Sequence, residues 1–70
     1  MRILIVVERT DTGYSAFSPD LPGCVATGGS QPEVEFAMRS AIELHLEGLR
    51  AEGIAPPEPQ AYATVLEVAA

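Results

Sequence analysis

Apolar and polar positions divide this chain into blocks with different periods. Residues 2–9 carry the unbroken run Ile3-Leu4-Ile5-Val6-Val7, whose β-branched side chains face both ways, the pattern of a central strand covered on both sides. Thr10-Asp11-Thr12-Gly13 is turn chemistry, because the Asp11 and Thr12 side chains can bond nearby backbone and Gly13 tolerates positive φ. Residues 14–18 form a second strand, reversed on the first as a hairpin. A third strand from Cys24 ends in Gly28-Gly29, and glycines that offer no side chain to pack place it at a sheet edge.

Beyond Gly29 the period becomes helical. Ser30-Gln31-Pro32-Glu33 fits a capping box, with Pro32 in the first turn where its missing N–H costs nothing. The spacing predicts a helix from about 31 to 52, stopped by Gly53. Val34, Ala37, Met38, Ala41, Ile42, His45, Gly48 and Leu49 share one face. Glu35, Arg39, Glu43, Glu47 and Arg50 point elsewhere, Leu46 sits at the margin, and Phe36 lies nearly opposite the apolar stripe. Ala55-Pro56-Pro57-Glu58-Pro59 cannot prolong a helix and favours an extended return. A last strand follows at about 61–68, with Tyr62, Thr64, Leu66 and Val68 on one face and Ala63 and Val65 on the other.

The resulting order is β-β-β-α-β, an α+β domain. Two hairpin reversals and a helical crossover leave strand four parallel to strand one, in a sheet of order 3-2-1-4. One helix covers one face of that sheet. The other face needs a second copy or a partner.

Length sharpens that need. A single domain of 70 residues buries only about 60% of the surface its unfolded chain exposes. Cys24 is the only cysteine, so no internal disulfide forms, and with one histidine the ligands are too few for a structural zinc. A homodimer or homotetramer is therefore expected, with no cofactor. The amino-terminal apolar run is too short for a signal peptide or a bilayer span, which points to the cytoplasm and away from membranes. Ten acidic residues against four basic give a net charge of −6 and a pI near 4.4. Such a surface repels nucleic acid and complements a basic protein.

Catalytic readings find little support. A nucleophilic Cys24 needs a base and an electropositive surrounding, and neither is predicted. His45 belongs to the helical stripe. Two-metal cleavage needs converging carboxylates, whereas Asp11 and Asp20 come from turns at opposite ends of strand two. No enzyme is expected. Binding has better candidates. In Ser18-Pro19-Asp20-Leu21-Pro22-Gly23 the prolines fix φ, Gly23 can turn sharply, and Leu21 is free to tuck back or project. Asp20, Leu21 and Pro22 thus offer a stiff recognition loop. Glu35, Glu43 and Glu47 around Phe36 give an apolar anchor ringed by charge, the usual anatomy of an interface hot spot.

The stretch YSAFSPDLPGCVATGGS, the helix ending AIELHLEGLRAEG and the following PPEP together resemble the HicB antitoxin family, the acidic half of HicA/HicB toxin-antitoxin modules. The resemblance spans about residues 2–68. It implies a partly degenerate RNase H-like domain, dimeric or higher, that binds a small basic HicA-like toxin and blocks its messenger-RNA cleavage by covering the catalytic residue. Many such antitoxins also carry a helix-turn-helix or ribbon-helix-helix segment. Here the sequence stops at Val68-Ala69-Ala70, so neither a separate DNA-binding domain nor operator binding is expected. The competing expectation is an orphan oligomeric module of the same fold without a toxin.

Overall fold

The computed structural model describes residues 1–70. Three strands, β1 (Val6–Arg9), β2 (Tyr14–Phe17) and β3 (Val25–Gly28), precede one helix, α1 (Gln31–Ala51). The strands form an antiparallel sheet of order β1-β2-β3, which places the glycine-ended β3 at an edge. Val6, Phe17 and Val25 stand opposite one another in one row, and Val7, Ala16 and Ala26 in the next. Residues directly opposite share a face. The Ala16 row therefore looks towards α1, and the Val6-Phe17-Val25 row forms the uncovered face.

The helix begins and ends where its local chemistry requires. The Ser30 hydroxyl accepts from the Glu33 N–H at 3.3 Å, while the Glu33 carboxylate accepts from Gly29 N–H at 3.2 Å, one residue before the cap itself. At the other end Gly53 adopts φ 72. Its N–H donates to Arg50 O, and Ile54 N–H donates to Leu49 O, the paired bonds of a Schellman motif.

The core contains five residues: Ala16, Leu21, Cys24, Val34 and Met38. Helix and sheet meet closely because Gly28 has no side chain. A Cβ there would lie 2.6 Å from Val34 N and 2.8 Å from its Cα, so the glycine read as a weak strand end is the contact point for the first turn of α1. Gly13 has a related role. Its φ of 158 is nearly extended, and a Cβ would run into the carbonyl of Gly28.

Three expectations change. Residues 2–5 do not join β1, because β2 stops at Phe17 opposite Val6 and the chain then turns away; Leu4 O instead accepts from the Ser18 hydroxyl at 3.1 Å. The first strand is consequently an edge, not a central strand. Residues 61–68 form no strand in the single chain, so no fourth strand stands beside β1. The α+β class and the 3-2-1 part of the order hold.

Glycine replacements separate contact from propensity. Gly28→Ala is expected to destabilise by about 1–3 kcal/mol through overpacking. Gly48, which faces open space within α1, should gain about 0.8–1 kcal/mol as alanine. Urea denaturation at fixed protein concentration measures both, and a neutral Gly28→Ala would refute the close-approach account.

Candidate functional site

One open groove of about 440 Å³ runs between α1 and the residues that precede β1. Met1, Ile3 and Ile5 form one wall; Ile42 and Leu46 lie on the helix side, with Glu35, Phe36, Arg39 and Glu43 around them. Helical geometry explains the set, since 35, 39, 42 and 46 recur at intervals of three and four. The strand side follows from alternation, which sends Ile3 and Ile5 to the same face as Val7 and Ala16. Phe36 is 74% exposed, an aromatic ring held in water beside carboxylates. Glu47 is also exposed but lies outside the groove lining.

The Ser18–Gly23 loop is built from two consecutive turns. Leu21 N–H donates to Ser18 O and Cys24 N–H to Leu21 O, while Ser18 N–H closes the loop on Cys24 O. Proline at the second position and Gly23 at φ 85 in the third give the second turn its type II form. Pro22 is exposed. Leu21 sits between the turns and points inward at 1% exposure, which corrects its place among the partner-facing residues: two tight turns in succession drive their shared residue under the helix.

Asp20 has an intramolecular role that its sequence neighbours do not reveal. Its Oδ1 accepts from Gln60 N–H at 3.0 Å and Ala61 N–H at 3.1 Å, clamping the carboxy-terminal segment to the loop. Its Oδ2 is buried without a partner. The loop and the helix face are thus separate features. Asp11 lies in the β1–β2 turn, at the far end of β2 from Asp20.

Cys24 is buried, and burial pushes its thiol above the ordinary range. His45 is half-buried. No group of three or more His, Cys, Asp or Glu residues is arranged around a metal position, and no helix is long and apolar enough to cross a membrane.

These features define a small α+β domain whose most distinctive surface is an apolar groove bordered by Glu35, Arg39 and Glu43. Residues 3–69 match the family described as HicB_like antitoxin of bacterial toxin-antitoxin system, and the chain belongs to that family. A UPF0150 protein of Helicobacter pylori (strain J99) is 44% identical over 55 residues, covering 79% of this chain and 76% of that protein. UPF0150 protein ssr1765 of Synechocystis is 39% identical over 70% of this chain and 62% of its own length. An uncharacterized 14.9 kDa protein of Haemophilus phage HP1 is 36% identical over 64% of this chain, which spans 34% of the phage protein. A solved structure of a HicA3 and HicB3 toxin-antitoxin complex aligns with TM-score 0.65 at 26% identity, over 83% of this chain and 72% of the matched one.

Two outcomes are expected. Asp20→Ala should raise hydrogen exchange at the Gln60 and Ala61 amides by about tenfold or more, as a loss of local protection predicts; unchanged exchange would show that the clamp is not formed in solution. Because the Cys24 thiol titrates higher folded than unfolded, its contribution to stability is fully present below the unfolded thiol's pKa and is lost as pH rises through and above it. Near pH 8, about the unfolded thiol range, alkylation of the native chain should be at least about tenfold slower than that of the urea-unfolded chain. Equal rates would contradict the buried placement.

Proposed function

We propose that this chain is an antitoxin that binds and sterically neutralises a small basic, messenger-RNA-cleaving toxin of the HicA type, in the cytoplasm, without cofactor or catalysis of its own. The observation that carries this reading is the exposed Phe36 at the groove, with Glu35, Arg39 and Glu43 around it, on a chain of net charge −6 and in a fold that aligns with a chain of a HicA3/HicB3 complex. Phe36 supplies an apolar anchor. The carboxylates supply a field that attracts a basic protein and repels nucleic acid. Glu47 extends the contact along α1, and Pro22 of the loop gives a separate contact point.

Residues 1–70 act as one domain in this role. The segment 61–68 completes the sheet beside β1 in the order 3-2-1-4 of a partly degenerate RNase H-like fold, within a homodimer or homotetramer. Support comes from the apolar alternation of that segment and from the five-residue core, which is small for a chain of 70 residues.

Titration calorimetry against a purified HicA-type toxin tests the binding face. Phe36→Ala should weaken affinity at least about tenfold, roughly 1.4 kcal/mol, without altering the fold, because the ring is largely in water. Glu35→Gln with Glu43→Gln should slow association and reduce its salt dependence. An unchanged affinity in both variants would move the interface away from this face, and no binding to the toxin would reject the reading.

A further inference from the structure

Two parts of this chain lack a counterpart within it. Beyond the Asp20 clamp, residues 62–68 leave the body as an extended arm, with Tyr62, Val65, Leu66 and Val68 at 83%, 91%, 78% and 80% exposure. The molecule measures 49 × 27 × 17 Å, with a radius of gyration of 14.0 Å, against about 11 Å for a compact domain of this length. The arm alternates apolar side chains on both faces yet pairs with nothing. In turn, β1 is an open edge with unpaired backbone groups, although its sequence is that of a strand with neighbours on both sides.

We propose that the arm of one copy lies along β1 and residues 1–5 of a second copy, and that copy's arm along the first, so that each sheet gains its fourth strand in trans. The inference rests on the self-association proposed above; its test needs no toxin, and the arm lies in the groove that Phe36 borders. Both faces of such a strand find apolar surface. Ile3, Ile5, Ile42 and Leu46 lie on the helix side, and Leu4, Val6 and Phe17 on the other.

The clamp favours exchange over a strand from the same chain. It holds Ala61 to the loop that begins at Ser18, whose hydroxyl is bonded to Leu4 O. A parallel strand starting there would pass Ile5 and run on towards Arg9, leaving Met1 and Ile3 uncovered at the groove. An arm arriving from another copy has no such restriction. Charge favours a second copy over a basic protein as the occupant of this edge. Residues 61–70 carry one charged side chain, Glu67, so the arm can dock without bringing the acidic helix faces together. Reciprocal exchange is also isologous and closes on itself.

Sedimentation and cross-linking test the proposal on the full chain. In a Cys24→Ala background, one preparation carries Ile5→Cys and another Val65→Cys; the two are mixed at micromolar concentration and treated with a bis-maleimide. The expected result is a sedimenting oligomer in which position 5 of one chain is cross-linked to position 65 of another. Deletion of residues 62–70 should then leave a folded monomer by circular dichroism and sedimentation. Should the deleted chain not fold, Val65→Asp with Leu66→Asp should abolish the oligomer instead. A monomeric full chain would overturn self-association and exchange together. An oligomer in which a chain carrying both introduced thiols cross-links only within itself would overturn exchange alone.

Discussion

Leu21, held under the helix by the two turns on either side of it, is the constraint on which loop, sheet and helix all bear. That one side chain joins three parts: the loop after β2, the Ala16–Ala26 row of the sheet, and Val34 with Met38 on α1. A fully buried leucine contributes about 1.5–3 kcal/mol relative to exposure, a large fraction of what a domain this small can hold. It also fixes where the helix lies. With Leu21 beneath it and Gly28 against its first turn, α1 is seated over β2 and β3, and the strand that begins the chain is left at the uncovered margin.

Local chemistry is readable from the sequence wherever a single residue decides the backbone. Ser30 starts the helix, Gly53 stops it, and the turn at residues 10–13 reverses the chain. Long-range consequences are not readable in this way. The two prolines show that the Ser18–Gly23 loop is stiff, but not that their turns aim Leu21 inward. Nothing adjacent to Asp20 marks it as the acceptor for amides 40 and 41 positions further on. The apolar run 3–7 and the alternation at 62–68 are patterns suited to a buried sheet. A sequence pattern records the demand for burial without recording what meets it, and in the single copy no fourth strand forms. At the candidate site, Phe36 stands out because it is an apolar residue off the helical stripe, while the groove it borders depends on residues 1–5 leaving the ladder.

Charge is distributed in step with these surfaces. The acidic side chains of α1 that point to solvent are concentrated on the exposed side, and residues 61–70 are nearly neutral. Electrostatic repulsion between copies is therefore weakest where an apolar strand could be shared. A uniformly acidic surface of the same net charge would oppose that contact.

The projecting arm has a consequence for the lifetime of the chain. Peptide bonds are cut when a segment can enter a protease cleft in extended form, which most folded residues can do only after local unfolding. Residues 62–68 already have that form in an isolated copy, so degradation from this end needs no opening of the Leu21 core. Any contact that sequesters the arm would remove this accessible segment from proteases, making its resistance to cleavage a readout of assembly.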